Sequence, residues 1–523
     1  MGSFLHTLWH TQQNPMTTRT VSKIPFALLL LCLHMFGQRA HAQWGTPLWT
    51  NRYNGPVNSS DVANAMAVDT NDNVFVTGYT TVGGGGVYYA TLAYTGTGTP
   101  LWTSLYTGPV GGNEAVAIAT DNHGHVFVTG ESLDPLGPYD FATVAYSSAG
   151  TPLWTNRFNT PPSPPSDAHP AGVAADSTGN VFVTGFAYYS DVSGSYYATL
   201  AYSPGGATLW TNTFRGPGTA PWFGDAATAL AVDTNGNVLV TGTSGTGATG
   251  VNIYNYATIK YSNAGAGLWT NFYSGPTNAD NRPLAMAVAV SGNTFVTGRS
   301  IGANGAYEYA TIAYSAAGTP LWTNRYGSAG GDDEAGAIAL DTNGNVFVTG
   351  TSKDTNGYND SLTVAYSGAG VPLWTNRFLQ HYGQKSIAVD NIGNVFVTGG
   401  NYITVAYSGA GALLWTNQYP GLDFNNGAAN AIVADQSGNL FVTGGSFATN
   451  GAPDYVTIKY SPTTVPPYLS IQLISNQAVL SWTNPAFSLQ VMSAGVFTNI
   501  AGATSPYTNS VTHQKQFFRL ALY

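Results

Sequence analysis

The sequence predicts an all-β fold: an eight-bladed β-propeller with four-stranded blades, in which an N-terminal strand closes the last blade, plus a small C-terminal β-sandwich. Two anchors that recur eight times, roughly 50 residues apart, support this prediction because repeats of that period indicate propellers or solenoids. One anchor is the glycine that ends an FVTG-like segment: Gly78, Gly130, Gly185, Gly242, Gly298, Gly350, Gly399 and Gly444. The other is the tryptophan of an LWT-like segment: Trp49, Trp102, Trp154, Trp210, Trp269, Trp322, Trp374 and Trp415.

The short apolar segments of each repeat are of the β type. Val346–Val348 and Leu362–Tyr366 are β-branched or aromatic and are bounded by glycine, asparagine and serine. No segment carries a sustained apolar period of 3.6 residues, which a helix would require. Four strands per repeat, arranged radially, leave only short and protected sheet edges, and this is the propeller arrangement.

Each repeat contains four predicted strands: A (AxAVD), B (NVFVTG), C (YATIAY) and D (PLWTNRY). The first D segment, Thr46–Tyr53, has no partner strands before it, and the last repeat, Ala428–Tyr460, supplies strands A to C alone. We therefore expect Thr46–Tyr53 to complete the eighth blade, since an unpaired edge strand promotes aggregation.

The connections between strands define two faces. The A–B and C–D turns are short and nearly constant, and they share what we call the plain face. The B–C and D–A connections differ in length from repeat to repeat, and they share the variable face. Because loops on a rigid scaffold usually carry function, any site is predicted on the variable face.

Residues 1–42 predict a signal peptide, with Arg19 and Lys23 before an apolar segment that is too short to span a bilayer, and a small-x-small cleavage site at Ala40–Ala42. The single cysteine, Cys32, lies in this segment, so the mature chain is expected to lack disulfides. The predicted domains are then the propeller at 43–461, a proline-rich linker at 462–467 and a fibronectin- or immunoglobulin-like β module at 468–523. This organisation predicts a protein that is secreted or held at the cell surface.

Charge excludes some partners. Only 8% of the residues are charged, and the formal net charge is −9, without clustered lysine and arginine. Nucleic acids and anionic membranes are therefore not expected as partners. The predicted partner is an extracellular glycan or protein, and the chain is expected to be a monomer without a transmembrane segment.

Carboxylates precede strand A in six of the eight repeats. These candidate ligand-binding residues are Asp61, Glu114, Asp167, Asp225, Asp280, Asp333 and Glu334. The sequence places them around the channel mouth on the variable face, where a ring of carboxylates would hold a cation or a basic ligand. The alternative interpretation is a solvated polar rim without a ligand.

Aromatic residues are the second candidate group on this face. Tyr188, Tyr189, Trp222, Phe223 and Tyr254 lie in or beside its loops, where they would suit stacking on sugar rings. By contrast, tyrosines that recur in register at strand C are predicted to be core: Tyr89, Tyr197, Tyr256, Tyr309, Tyr402 and Tyr455. The LWT tryptophans are likewise predicted to pack between blades.

No cofactor, metal site or catalytic residue is assigned from the sequence. The Asp-x-Asn-Gly-Asn turns have some oxygen ligands of a calcium loop, so weak calcium binding is one interpretation, and simple hairpin turns are the other. His123 and His125 lie together in one plain-face turn. The sequence contains no HExxH or Walker motif.

The Asp341–Gly350 segment, DTNGNVFVTG, resembles the SBBP β-propeller repeat of secreted bacterial proteins, and the resemblance extends over roughly residues 46–460. The Tyr366–Trp374 segment is similar to the tryptophan-docking motif of eight-bladed quinoprotein-like propellers. Leu480–Trp482 and Phe517–Leu520 resemble short β modules that end other secreted bacterial proteins. These resemblances imply an exported propeller and bring no defined activity, since quinoprotein-like propellers include both dehydrogenases and assembly scaffolds.

The predicted function is that of a secreted, non-catalytic recognition or scaffold protein that binds a glycan or a protein through the variable face. The alternative is a polysaccharide hydrolase or lyase that uses acidic residues at the channel mouth, where paired carboxylates would serve as acid and base.

Overall fold

The computed structural model describes residues 45, 47–159, 166–188, 194–218, 224–246, 253–329, 331–379, 383–421 and 427–461, and in the C-terminal part 470–474, 477–481, 487–493, 496–500, 503, 507–510 and 518–522. The predicted signal peptide and proline-rich linker lie outside these residues. The structure confirms the predicted class, because eight four-stranded antiparallel sheets form a propeller. The predicted domain boundaries remain predictions.

The chain begins with strand β1 (Pro47–Tyr53) and then forms blades 1 to 4, whose strands follow in the order A to D. They are β2 (Asp61–Val68), β3 (Val74–Thr81), β4 (Val87–Tyr94) and β5 (Pro100–Tyr106); β6 (Asn113–Thr120), β7 (Val126–Leu133), β8 (Tyr139–Tyr146) and β9 (Pro152–Phe158); β10 (Ala168–Ala175), β11 (Val181–Tyr188), β12 (Ser195–Tyr202) and β13 (Thr208–Phe214); and β14 (Ala226–Val232), β15 (Val238–Gly245), β16 (Tyr254–Tyr261) and β17 (Gly267–Tyr273). A short 3₁₀ turn, Gly83–Gly85, lies in the B–C connection of blade 1.

Blades 5 to 8 follow the same plan, except that blade 8 contributes only strands A to C. Their strands are β18 (Asn281–Val288), β19 (Thr294–Ile301), β20 (Tyr307–Tyr314) and β21 (Pro320–Tyr326); β22 (Asp333–Leu340), β23 (Val346–Lys353), β24 (Asn359–Tyr366) and β25 (Pro372–Phe378); β26 (Gln384–Val389), β27 (Val395–Gly399), β28 (Ile403–Tyr407) and β29 (Leu413–Gln418); and β30 (Gly427–Ala434), β31 (Leu440–Phe447) and β32 (Pro453–Tyr460).

The C-terminal part contains six further strands in two three-stranded antiparallel sheets. They are β33 (Ser470–Ile474), β34 (Gln477–Ser481), β35 (Phe487–Ser493), β36 (Val496–Asn499), β37 (Tyr507–Ser510) and β38 (Phe518–Leu522). One sheet has the order β33-β34-β37 and the other β36-β35-β38. The predicted short strands are therefore present, while the fibronectin- or immunoglobulin-like topology stays a prediction.

The N-terminal strand closes the ring, as predicted. In blade 8 the strand order is β1-β32-β31-β30, so β1 occupies the place of strand D. Arg52 of β1 donates to Asp454 Oδ2 at 2.6 Å and to the carbonyl oxygen of Ser446 at 3.1 Å. Arg377 makes the corresponding contacts in blade 6, where its chain is continuous with strand C. The closing blade therefore uses the interactions of an ordinary blade.

Strand A carries a bulge that explains the first anchor, the FVTG glycine. In blade 1 the pairing register shifts between Ala63 and Ala65, and the bulge places the carbonyl oxygen of Val62 over Gly78. A Cβ atom on Gly78 would lie 2.0 Å from that oxygen, and the corresponding contact recurs in every blade. Only glycine fits at this position, because any side chain would clash with the strand A backbone.

The tryptophans pack between blades, which confirms their predicted structural role. The indole N–H of Trp322 donates to the carbonyl oxygen of Gly368 in the next blade at 3.0 Å. The ring lies against Gly370, where φ is +82° and a Cβ atom would lie 2.6 Å from the ring. Asn324 then donates to the carbonyl oxygen of Gly370 at 2.7 Å.

The same tryptophan contact extends around the ring and across its closure. The indole N–H donates to the next blade at 2.8 to 3.2 Å from Trp49, Trp102, Trp154, Trp210, Trp269, Trp322 and Trp374. Blade 8 has no C–D turn because its strand D comes from the N-terminus. There Gly45, which precedes β1, lies against Trp415 and replaces the missing turn glycine.

Buried hydroxyl groups form a second set of contacts. Each blade pairs two buried threonines of strands B and C, for example Thr349 Oγ1 and Thr363 Oγ1 at 3.0 Å. The predicted core tyrosines are confirmed, since each is at most 1% exposed. Tyr309 donates to the carbonyl oxygen of Leu362 in the next blade at 3.2 Å, and Tyr455 of blade 8 donates to that of Ala90 in blade 1 at 3.1 Å. These bonds satisfy polar groups that would be costly to bury unpaired.

We expect Arg52→Ala to lower the free energy of unfolding by about 3 kcal/mol, because it leaves the buried Asp454 carboxylate without its ionic partner. Denaturant unfolding measures the loss. Asp454→Asn added to Arg52→Ala should restore part of it. Lys353→Ala, which removes an exposed pair with Asp332, is the control and should cost at most about 1 kcal/mol. A loss for Arg52→Ala no larger than that of the control would contradict this account of ring closure.

Candidate binding face

Buried carboxylates at the start of strand A fix the D–A loops of the variable face. Asp61 accepts a hydrogen bond from Gly55 N–H at 2.6 Å and one from the Thr80 hydroxyl. Asp333 accepts from Ser328 N–H at 2.5 Å and from Ser328 Oγ at 2.9 Å. Asp225 accepts from Gly216 N–H at 2.9 Å. Burial raises the pKa of Asp61 and of Asp225 above the ordinary value, although these hydrogen bonds oppose the shift.

Blades 2 and 5 have asparagine at the corresponding position. The asparagine also fixes the D–A loop, but it does so mainly by donating hydrogen bonds from its amide group. Asn113 donates to the carbonyl oxygens of Thr107 and Val110, both at 2.8 Å, and accepts from Ser132 Oγ at 2.6 Å. Asn281 repeats this pattern with Ser274, Ala279 and Ser300. In blades 1, 2, 4, 5 and 6 a buried polar group at this position therefore holds the loop, and a charge is not required.

The seven predicted carboxylates do not share one register position. They occupy three successive register positions. Asp167 and Asp280 come first, the buried Asp61, Asp225 and Asp333 come second, and Glu114 and Glu334 come third, as the pairing with strand B shows. Because neighbouring residues on a strand point to opposite sides, these groups face different surroundings. Their role in ligand binding stays a prediction.

The third register position carries groups that bridge adjacent blades at the channel mouth. Asn64 Nδ2 of blade 1 donates to Glu114 Oε1 of blade 2 at 3.0 Å. His169 Nδ1 of blade 3 lies 2.7 Å from Glu131 Oε1 of blade 2. Arg299 of blade 5 pairs with Glu334 of blade 6. The mouth therefore carries both acidic and basic groups and has no uniform charge.

Glu114 and Glu131 bring two carboxylates together within one blade. They are directly opposite each other on strands A and B of blade 2. Side chains at such positions have Cβ atoms about 5 Å apart. Burial and the charge of Glu131 raise the pKa of Glu114, while the hydrogen bond from Asn64 lowers it. Protonation of Glu114 is thus easier than that of a carboxyl group in water.

Aromatic rings surround His169 in blades 2 and 3. We call Glu131, Tyr139, His169, Phe186 and Tyr188 the His169 cluster. The centroid of the His169 ring lies 5.0 Å from that of Phe186 and 6.1 Å from that of Tyr139. Tyr188 packs edge-on against Phe186 at 5.7 Å and remains 44% exposed. The cluster thus presents an exposed aromatic edge beside an ion pair.

A second cluster joins blades 4 and 5, and we call Tyr254, Asp280, Arg282, Arg299 and Tyr307 the Arg282 cluster. The Arg282 guanidinium lies 4.7 Å from the centroid of Tyr254 and donates to Asp280. Tyr307 donates to Asp280 Oδ2 at 2.7 Å, and Arg299 lies 4.6 Å above the Tyr307 ring. Stacking and ion pairing hold both guanidinium groups in place, which is the arrangement that favours recognition of planar or polar ligands.

Blade 7 has shortened strands B and C on the side of the variable face. Its strands β27 and β28 have five residues each, compared with eight in β23 and β24 of blade 6. Three residues per strand shorten the blade by about 10 Å on this side. The B–C connection of blade 7 consists of Gly400, Asn401 and Tyr402 alone, and Tyr402 is buried. The variable face is therefore asymmetric, with its side-chain clusters on blades 2 to 6.

Of the aromatic residues predicted as ligand-binding, Tyr188 and Tyr254 each belong to one of the two clusters. Tyr189, Trp222 and Phe223 lie outside the described residues. The sequence analysis missed Glu131, His169, Arg282 and Arg299. One signal could have identified them, because all four are ionisable residues at two positions that vary between repeats, the residue after the FVTG glycine and the third register position.

The plain-face turns use their aspartates to close the hairpin. Asp341 Oδ1 accepts from the N–H groups of Asn343 and Asn345 at 2.9 and 2.8 Å, and Asp341 Oδ2 accepts from the Asn345 amide at 2.7 Å. Both carboxylate oxygens are thereby engaged within the turn. This geometry favours the hairpin interpretation, while weak calcium binding stays a prediction.

Comparisons with known proteins agree with the fold. A family model for the SBBP β-propeller repeat matches residues 52–85 and 321–358. No curated protein matches the sequence. Among the described residues, no helix has the length and apolar character that membrane crossing requires.

Many solved structures are similar to the chain, including the following three. The C-terminal WD40 domain of Sif2 aligns with a TM-score of 0.51 at 10% identity and covers 80% of this chain and 99% of its own. The WD40 β-propeller domain of Doa1 has a TM-score of 0.39 at 9% identity over 80% and 96% of the two chains. A protein of unknown function from Bacteroides caccae has 0.32 at 13% identity over 61% and 94%. At such identities the first similarity bears on the fold alone.

We expect Asp333→Ala to cost about 2 kcal/mol of unfolding free energy, because it leaves the buried N–H and hydroxyl of Ser328 without an acceptor. The adjacent and exposed Asp332 is the matched control, and Asp332→Ala should cost at most about 1 kcal/mol. Asp333→Asn should be milder than Asp333→Ala, because blades 2 and 5 fold with asparagine at this position. Equal losses for the two alanine variants in denaturant unfolding would exclude the anchoring role of Asp333.

We expect the pKa of His169 to lie above its ordinary value, because the hydrogen bond to Glu131 raises it more than burial lowers it, and the charges of Glu131 and Asp167 add to the increase. The resulting stabilisation is present in full below the unfolded-state pKa of about 6.5 and is lost as pH rises through the higher folded-state value. NMR titration of the ring protons measures the pKa. Glu131→Gln should lower it, and an unchanged titration in this variant would rule out the ion pair.

Proposed function

We propose that the chain, which is an SBBP-type β-propeller repeat protein, is a secreted or surface-exposed, non-catalytic binding protein whose variable face recognises an extracellular glycan. The observation that carries this proposal is the contrast between the two faces. On the plain face, repeated residues satisfy one another within the turns. On the variable face, the His169 and Arg282 clusters depart from the repeat and combine aromatic edges with fixed polar groups.

The chemistry of these clusters suits a sugar chain. Ligand sites typically combine aromatic or apolar surface with a few well-placed polar groups. Tyr188 supplies an exposed ring, and Arg282 and Arg299 supply donors that stacking already holds in place, so little side-chain entropy is lost on binding. Ion pairs between acidic and basic groups at the mouth favour a neutral or mixed polar ligand over a strongly basic one.

The alternative of a polysaccharide hydrolase or lyase has one supporting feature. Glu114 and Glu131 face each other across one blade, and the raised pKa of Glu114 suits an acid. However, both groups are already engaged, Glu114 by Asn64 and Glu131 by His169. Binding without catalysis is therefore the favoured function. Analysis of sugar products distinguishes a binding protein from a hydrolase or lyase.

The test is binding of the exported chain, residues 43–523, to a broad panel of glycans and polysaccharides. We expect a specific hit whose dissociation constant rises at least about 10-fold in Tyr188→Ala or Arg282→Ala, as for residues central to an interface. Val290→Ser, at an 86% exposed position of a plain-face turn, is the control and should bind as wild type.

Three outcomes contradict the proposal in different ways. Absence of any hit excludes a glycan as ligand and leaves a protein partner. Equal loss in the variable-face variants and in Val290→Ser places the binding surface elsewhere. Release of shortened sugar products, abolished by Glu114→Gln or Glu131→Gln, establishes the enzyme instead.

A further inference from the structure

The A–B turn of blade 2 contains two histidines where the other turns have smaller polar or apolar residues. Its residues Asp121, His123 and His125 correspond to Asp341, Asn343 and Asn345 of blade 6 and to Asp69, Asn71 and Asn73 of blade 1. In each of these three turns the aspartate accepts hydrogen bonds from the backbone N–H groups of the third and fifth residues. The three turns therefore have the same backbone conformation. In blade 2 these bonds are 2.9 Å each, from His123 N and His125 N to Asp121 Oδ1.

His125 performs the structural task that asparagine performs elsewhere. Its Nδ1 lies 2.8 Å from Asp121 Oδ2, where Asn73 Nδ2 lies 2.9 Å from Asp69 Oδ2 in blade 1. The turn therefore closes equally well with asparagine, and the fold does not explain the imidazole. His123 has no such task, since 63% of its side chain is exposed and its Nδ1 lies 3.6 Å from Asp121 Oδ2.

The two imidazoles and the carboxylate converge on the plain face. The rings of His123 and His125 are stacked at an interplanar angle of 28°, with centroids 6.0 Å apart. One donor atom from each of Asp121, His123 and His125 can be chosen so that all three lie within 4.8 Å of one another, and this is the one such group among the described residues. The neighbouring turns carry Asp69 and Asp72 in blade 1 and Asp176 in blade 3, which add negative potential that favours a cation.

We propose that Asp121, His123 and His125 form a binding site for a divalent transition-metal ion such as Zn²⁺, Cu²⁺ or Ni²⁺. Two imidazole nitrogens and one carboxylate oxygen are the donors that these ions prefer, whereas Ca²⁺ and Mg²⁺ prefer oxygen alone. Ligand atoms around tetrahedral Zn²⁺ are about 3.3 Å apart, so the donors must approach by a small rotation, which the exposed His123 ring permits. Three protein ligands leave a position for water or for a group of another molecule.

The bound ion leaves the turn intact. Asp121 Oδ1 continues to accept both backbone N–H groups, while Asp121 Oδ2 turns from His125 to the ion. The ring of His125 keeps its edge-on contact with Phe127, whose centroid lies 6.4 Å away. Because His125 adjoins strand β7, which starts at Val126, the site rests on the rigid part of the blade.

The test compares metal binding by the full chain, purified without a histidine tag, with that of His123→Asn/His125→Asn. Zn²⁺, Cu²⁺, Ni²⁺ and Ca²⁺ are each titrated alone by isothermal calorimetry. We expect wild type to bind one more equivalent of each transition metal than the double variant, and each single variant to weaken that site at least ~10-fold, since loss of a ligand should cost no less than loss of an outer partner. Nitrogen hyperfine splitting in the Cu²⁺ electron paramagnetic resonance spectrum should likewise be lost.

The repeat supplies an inverse variant that keeps the proposal testable if the first one folds poorly. Asn343→His/Asn345→His places the same triad on the A–B turn of blade 6, beside Asp341, and should add one equivalent of bound metal. Equal stoichiometry and affinity in wild type and His123→Asn/His125→Asn would overturn the proposal. Ca²⁺ binding that needs both histidines would overturn the assignment to transition metals.

Discussion

The contact on which the propeller depends is the seat of a strand D tryptophan on a glycine of the next blade. The indole donates one hydrogen bond across the boundary, the asparagine two residues later donates a second, and the glycine leaves room for the ring. Because each of the eight tryptophans lies against a glycine of the next blade, packing between blades extends around the whole ring. The N-terminal segment achieves closure by placing Gly45 against Trp415 and Trp49 against blade 1.

A second constraint, the strand A bulge, determines what the variable face presents. The bulge brings a strand A carbonyl onto the FVTG glycine in every blade, so that glycine is fixed and the residue after it is free to vary. The residue whose carbonyl oxygen contacts the glycine also places its side chain at the channel mouth. Glu114, His169, Arg282 and Glu334 occupy it in blades 2, 3, 5 and 6, and ion pairs across blade boundaries hold His169 and Glu334.

The two proposals follow from one physical idea, namely that departures from a repeated structural solution indicate a task beyond folding. In blades 2 to 6 the departures combine rings with charges on the variable face, which supports glycan recognition. In the blade 2 turn the departure replaces asparagine by histidine without changing the hydrogen bonds that close the hairpin. For both proposed sites, the corresponding residues of other blades show which side chains the fold tolerates, and they therefore indicate suitable control substitutions.

The sequence alone predicted the blade count, the strand order, the closure by β1 and the burial of the tryptophans and strand C tyrosines. It did so because packing in a propeller is repeated, and a repeated requirement leaves eight copies of the same pattern. Tertiary structure alone decided that Asp61, Asp225 and Asp333 are buried loop anchors and that Glu131 meets His169. Those outcomes depend on the pairing register, on a bulge that shifts this register by one residue, and on contacts between blades. The residue order along one strand specifies none of these three features.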